Sequence, residues 1–109
     1  TLVRHGDRYY IIDWKSNWLG AAPDAYTPAN VRAAMHEHAY TLQYHLYSLA
    51  LDRYLSRRLP DYDPARHLGG AYYVFLRGLA PAPGTDPIFT DHPSPDLIAK
   101  FSSRLLCPF

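Results

Sequence analysis

Cysteine is almost missing from this chain, which has the single Cys107 among its 109 residues. One cysteine cannot form an internal disulfide or a cysteine-based zinc site, and this usage fits a reducing compartment. The sequence also lacks an apolar run long enough to span a bilayer, a signal-peptide pattern and a phosphate-binding glycine loop. A disulfide-stapled secreted domain and a nucleotide-driven motor are therefore excluded for these residues.

A strong excess of one charge is missing as well. The chain has 11 Lys and Arg residues against 10 Asp and Glu residues, so its formal net charge is only +1. A stand-alone domain that binds nucleic acid usually has a more basic surface. The charge argues weakly against such a binder, and hardly at all against a catalytic module carried by a larger protein.

The chain does contain enough apolar residues for one modest core. Hydrophobic residues make up 48% and charged residues 19% of the sequence, which is typical of a globular domain rather than disorder. The first residue, Thr1, is not a methionine and stands inside a predicted strand. We interpret the sequence as a piece of a longer polypeptide.

The first half of the chain predicts a hairpin and then helices. Residues 1–5 and 8–16 read as strands joined by a turn at Gly6-Asp7, and residues 20–26 read as a loop. Thr27-Pro28 predicts a helix start, with a bend at residues 36–38 between a short and a longer helix that ends near residue 59. One face of the longer helix is formed at three- and four-residue steps by Tyr40, Gln43, Tyr44, Tyr47, Leu51, Tyr54 and Leu55. A second apolar stripe predicts burial on two sides, and it consists of Leu42, Leu46 and Leu49.

The second half predicts a loop over residues 59–68, a central strand over 69–78, a linker over 79–87 and a terminal helix over 94–106. The strand is nearly continuous in apolar residues and bounded by glycines, as is typical of a strand buried on both faces.

The most informative segment is Asp13-Trp14-Lys15, at the end of the second strand. Alternate side chains of a strand share a face, so Asp13 and Lys15 point one way, and Trp14 points the other way as a core residue. A carboxylate that can hold a hard divalent cation, beside a lysine that can steady an attacking water, suits phosphodiester hydrolysis. An edge strand with two solvated charges is the alternative for this tripeptide alone.

Other polar residues have two interpretations each. Gln43 and Tyr47 share a helix face, where they serve either a site or the core. Ser16 and Asn17 either contact a bound strand or form a turn. The spacing of the histidines at positions 36, 38 and 45 does not match a zinc motif, and we interpret them as surface or packing residues.

Taken together, residues 13–20 and 43–47 resemble the D-(Y/W)-K-S-N and Q-x-x-x-Y motifs of RecB-type nucleases in the PD-(D/E)xK superfamily. Residues 38–40 and 67–78 resemble in particular the C-terminal nuclease domain of exodeoxyribonuclease V beta subunits. The resemblance implies an α/β, restriction-endonuclease-like core with a central mixed sheet flanked by helices on both faces. This core is N-terminally truncated and extends over residues 1–78, with a linker and terminal helix over 79–109.

The resemblance also implies roles for individual residues. Asp13 and the backbone carbonyl of Trp14 would bind one Mg²⁺, and Lys15 would orient the attacking water. Gln43 and Tyr47 would complete the catalytic group, with Ser16, Asn17 and Tyr47 contacting substrate. The remaining metal ligands are expected upstream of Thr1, so the isolated fragment is expected to be inactive.

The implied function is that of a metal-dependent exonuclease domain within an ATP-dependent helicase–nuclease. Such an enzyme acts on DNA ends in recombinational double-strand-break repair in the bacterial cytoplasm. Its implied partners are DNA, the gamma and alpha subunits and a recombinase, with no membrane. The alternative is a nuclease-like domain that binds DNA or docks the recombinase without cleavage. AddB-like and Cas4-like nucleases are a further alternative, but they typically carry iron–sulfur cysteines, and this chain has only Cys107.

Overall fold

Four strands form one mixed sheet in the computed structural model, which describes residues 1–21, 23–79 and 84–105. The strands are β1 (Leu2–His5), β2 (Arg8–Lys15), β3 (Leu68–Phe75) and β4 (Ile88–Asp91), in that spatial order. β2 pairs antiparallel with β1 and parallel with β3, and β3 pairs antiparallel with β4. The predicted hairpin and the predicted mixed sheet are therefore confirmed.

The described helices are α1 (Pro28–Glu37), α2 (Tyr40–Arg58), α3 (Pro64–His67) and α4 (Pro95–Leu105). Short 3₁₀ turns cover Pro23–Tyr26 and Leu76–Gly78. The start of α1 is as predicted, because the Thr27 side chain accepts a hydrogen bond from the Asn30 amide at 3.2 Å. Among the residues described, no helix is long and apolar enough to cross a membrane.

The predicted bend between the two helices is confirmed at His38 and Ala39. Ala39 adopts the left-handed backbone conformation with φ of 56°, which a residue with a Cβ adopts at some cost. The chain therefore changes direction at this residue, between the end of α1 and the start of α2. Tyr40 consequently becomes the first residue of α2.

The core lies between the sheet and α1 and α2, with α4 packed on α2. On this side of the sheet Tyr73 and Phe75 are fully buried, and Ile98 brings α4 into the same cluster. The other buried members of the cluster come from every layer: Ile11, Tyr26, Val31, Ala34, Met35, Tyr44, Leu49, Leu51, Leu55, Leu68 and Ala71.

Two predictions about burial were wrong. Trp14 is 54% exposed, because it points to the sheet face opposite α2, where Tyr72 and Ile88 are also exposed. The helices described do not cover those side chains, in contrast to the predicted cover on both faces. Likewise α2 is not buried on two sides, because Leu42 and Leu46 are 58% and 42% exposed.

Three element boundaries also differ from the prediction. The expected loop over 59–68 contains α3, which Asp63 caps by accepting a hydrogen bond from Ala65. The expected strand over 69–78 ends at Phe75, and its last part forms a 3₁₀ turn. The strand β4 was not predicted, and it begins directly after Pro87. Parts of the predicted linker, together with Leu106 and Cys107, lie outside the described residues.

Two leucines of α2 give a matched test of this arrangement. Leu55→Ala should lower the free energy of unfolding by about 2–5 kcal/mol, because Leu55 is only 1% exposed and its removal leaves a cavity. Leu42→Ala should change it by no more than about 0.5 kcal/mol, because that side chain is exposed. Denaturant unfolding of both variants measures the difference, and equal losses would contradict the described packing of α2.

Candidate functional site

Asp13 and Lys15 form an ion pair on the helix side of the sheet. Lys15 Nζ lies 3.4 Å from Asp13 Oδ1, and the two side chains are 16% and 24% exposed, respectively. Strand alternation explains the pair, because Trp14 between them projects to the opposite face. The end of β2 therefore presents a carboxylate and an ammonium together at a half-buried position.

Two tyrosine rings complete the surroundings of the Lys15 ammonium. Its Nζ lies 4.2 Å from the ring centroid of Tyr40 and 5.4 Å from that of Tyr73. Both distances are within the range of cation–π attraction. The two rings are stacked on each other with centroids 5.7 Å apart. Lys15 is thus held by one carboxylate and by aromatic faces from α2 and β3.

Gln43 reaches the same place from α2. The Tyr73 hydroxyl donates a hydrogen bond to Gln43 Oε1 at 2.6 Å, and Tyr73 is the residue directly opposite Asp13 in the parallel pairing. Burial raises the pKa of Tyr73 most, and the negative charge of Asp13 raises it further. Tyr73 therefore stays a neutral donor at physiological pH.

Tyr47 lies one turn after Gln43 on the same face of α2. It is among the groups that raise the pKa of Tyr73, after burial and the charge of Asp13. Tyr47 is half-exposed and also lines an apolar groove of about 390 Å³ between the hairpin and α2. The other groove residues are Thr1, Leu2, Ile11, Ala50, Leu51 and Tyr54.

The loop after β2 is tied to the rest of the fold by hydrogen bonds. Tyr40 Oη donates to Asn17 Oδ1 at 3.1 Å, and Tyr26 Oη donates to the Asn17 carbonyl at 3.2 Å. Arg77 Nε donates to the Ser16 carbonyl at 2.8 Å. Ser16 and Asn17 are therefore fixed next to Lys15, so they can present further polar atoms without a large loss of conformational entropy.

The described residues do not form a metal site by themselves. In residues 1–21, 23–79 and 84–105 there is no group of three or more His, Cys, Asp or Glu side chains that could hold an ion. Mg²⁺ requires near-octahedral oxygen coordination, and here Asp13 contributes one carboxylate. His45 makes packing contacts, since its Nδ1 lies 2.6 Å from the Thr41 carbonyl and its ring stacks on Tyr44.

Sequence reasoning grouped Asp13, Lys15, Gln43 and Tyr47, but it missed two members of the cluster. The spacing places Tyr40 on the correct helix face but gives it no role, and the apolar run places Tyr73 in a buried strand. The available signals were the three-residue spacing of Tyr40 and Gln43 and the position of a hydroxyl within an apolar strand. The contact of both rings with Lys15 depends on residues far apart in the chain.

Comparisons with known proteins found close relatives, although no protein-family model matches. The chain is 51% identical over 98 residues to RecBCD enzyme subunit RecB of Escherichia coli strain K12, which covers 90% of this chain and 8% of that protein. RecB of Haemophilus influenzae is 42% identical over 99 residues, covering 91% of the chain and 8% of the relative. RecB of Mycolicibacterium smegmatis is 43% identical over 100 residues, covering 86% of the chain and 9% of the relative. The chain thus spans less than a tenth of the length of these relatives.

The buried tyrosines predict a loss of stability at alkaline pH. The pKa of Tyr73 is raised above its usual value of about 10, as is that of Tyr44 through burial and its hydrogen bond to Asp91. Above pH 10 the unfolded chain releases these protons more readily than the folded chain, so the free energy of unfolding falls as pH rises. Denaturant unfolding between pH 8 and pH 11 should show this fall, with a shallower slope for Tyr73→Phe.

The exposed neighbour Tyr72 provides the control, because it lies on the same strand. Tyr72→Phe removes an identical hydroxyl and should retain the slope of the unmodified chain. A Tyr73→Phe variant with the same slope as Tyr72→Phe would contradict the assignment.

Proposed function

This chain is a RecB-type segment, and we propose that it forms part of the nuclease domain of a RecBCD-like enzyme, where it takes part in metal-dependent hydrolysis of DNA. The observation that supports the proposal is the cluster at the end of β2. There a carboxylate and an ammonium from one motif of the RecB type and an amide from a second motif lie around the buried side chain of Tyr73.

In this proposal Asp13 and the backbone carbonyl of Trp14 hold one Mg²⁺. The described residues provide too few ligands alone, so the remaining ones come from parts of the subunit outside this chain. When bound, the ion would lower the pKa of a water molecule and neutralise charge on the phosphate. Lys15 supplies a fixed positive charge beside the phosphate and holds the attacking water.

Gln43 and Tyr47 act as hydrogen-bonding groups in the same proposal. Gln43 Oε1 already accepts a hydrogen bond from Tyr73, so its amide nitrogen is the group that can donate to a water or phosphate oxygen. Tyr47 is half-exposed and can donate to a phosphate. Ser16 and Asn17 contact the backbone of the bound strand from the loop that Tyr40 and Arg77 hold in place.

The relatives support a proposal about the wider role. We propose that the subunit acts as an exodeoxyribonuclease V-type enzyme on linear DNA ends, together with gamma and alpha subunits, in recombinational repair in the bacterial cytoplasm. Because the chain spans only 8–9% of the RecB relatives, the motor and most partner surfaces would lie elsewhere in the subunit.

A second candidate function is docking of DNA or a recombinase without cleavage. It is favoured by the exposed apolar side chains of Leu42 and Leu46, which lie one turn apart on α2. Neighbouring exposed apolar side chains are typical of protein interfaces. Loss of hydrolysis in the variants below, with assembly retained, would favour the nuclease over docking as the primary role.

The nuclease proposal predicts a selective loss in two variants of the full-length subunit, assembled with its partners. Asp13→Asn and Lys15→Gln should each lower DNA hydrolysis by roughly a hundredfold or more, as expected when a positioned catalytic group is removed. ATP-driven strand separation should remain largely intact, because no phosphate-binding loop lies in this segment. Release of acid-soluble nucleotides and strand separation are measured in parallel on one linear duplex.

Asp61→Asn and Lys100→Gln serve as matched controls, since these side chains are exposed and lie outside the cluster. Both controls should hydrolyse DNA at the normal rate. Near-normal hydrolysis in Asp13→Asn or Lys15→Gln would refute the proposed active site, and a collapse of strand separation would indicate a structural role instead.

A further inference from the structure

We infer that Tyr40 is a positioning residue for Lys15 and for the loop that follows it. The inference rests on the proposed function, because it concerns how the ammonium is held for hydrolysis. Tyr40 uses its ring and its hydroxyl on two different neighbours, and both neighbours come from the segment Lys15–Asn17.

The ring of Tyr40 makes the shorter of the two aromatic contacts of Lys15. Nζ lies 4.2 Å from its centroid and 5.4 Å from that of Tyr73. A lysine side chain has four rotatable bonds, so it needs more than one partner to keep one orientation. The carboxylate fixes one direction and the ring of Tyr40 fixes a second.

The Tyr40 ring can attract the Lys15 ammonium even when Asp13 binds an ion. A carboxylate oxygen that binds a divalent ion has less negative potential left for a lysine beside it. An aromatic face does not compete for such an ion. In the proposed active site Tyr40 therefore keeps the Lys15 ammonium in place when Asp13 is engaged as a ligand.

The Tyr40 hydroxyl also positions the loop after β2. Tyr40 Oη donates to Asn17 Oδ1, two residues beyond Lys15. The Tyr40 ring itself stacks on two neighbours, Tyr73 and His38, and the centroid distance to His38 is 5.3 Å. The left-handed conformation of Ala39 sets the direction in which α2 begins at Tyr40. The Tyr40 ring therefore orients Lys15, and the Tyr40 hydroxyl orients Asn17.

Two substitutions at position 40 separate the ring from the hydroxyl. In the full-length assembled subunit, Tyr40→Leu should lower the kcat of DNA hydrolysis by about tenfold with little change in KM, because the cation–π partner is lost. Tyr40→Phe keeps the ring and loses only the bond to Asn17, so it should stay within about threefold of the unmodified enzyme. A near-normal kcat in Tyr40→Phe would show that the loss in Tyr40→Leu comes from the missing ring.

A second measurement follows Lys15 directly and does not depend on activity. An amine-acylating reagent is applied to the same assembled proteins, and modification of Lys15 is quantified by peptide mass spectrometry relative to the exposed Lys100. Tyr40→Leu should raise the acylation rate of Lys15 by about threefold to tenfold, because the ring no longer holds and covers the ammonium. Tyr40→Phe should leave that rate unchanged.

The outcomes separate this inference from the proposed function. Unchanged acylation of Lys15 in Tyr40→Leu would overturn the inference whatever the enzyme does. Raised acylation with normal hydrolysis in Tyr40→Leu would also overturn it, provided that Lys15→Gln is inactive. If Lys15→Gln is itself fully active, the proposed function fails, and the positioning role fails with it.

Discussion

The parallel pairing of β2 with β3 is the constraint on which the candidate site depends. It places Asp13 opposite Tyr73 and Lys15 opposite Phe75, on the face that α2 covers. A shift of one residue would turn every side chain of one strand to the other face. The buried side chains Ile11, Ala71, Tyr73 and Phe75 oppose such a shift, so core packing and site geometry are fixed by the same register.

Much of this arrangement could be predicted from local patterns. Period-two alternation placed Asp13 and Lys15 together, and helical spacing turned Gln43 toward them. The strand β4 escaped prediction because it has only four residues and follows a proline, so its pairing with β3 comes from tertiary contact rather than from a local pattern. The exposure of Trp14 could not be predicted either, because alternation gives the face of a side chain but not what covers that face.

The helix α2 has two different surfaces. One surface carries Tyr40, Gln43 and Tyr44 into contacts with β3 and β4, including the bond from Tyr44 to Asp91. The other surface carries the exposed side chains of Leu42 and Leu46. Because a regular helix is stiff along its hydrogen-bonded length, a contact made with these leucines and the side chains at the site share one rigid element.

The distance in sequence between the two paired strands has a consequence for biosynthesis. Asp13 and Lys15 leave the ribosome long before Tyr73, which follows about sixty residues later. Closing so large a loop carries an entropic cost that only the completed sheet and its helix can offset. A nascent chain that ends before β3 therefore has the charged motif and α2, but it lacks Tyr73, which contacts both Lys15 and Gln43. The cluster can form only after β3 has been synthesised and has paired with β2.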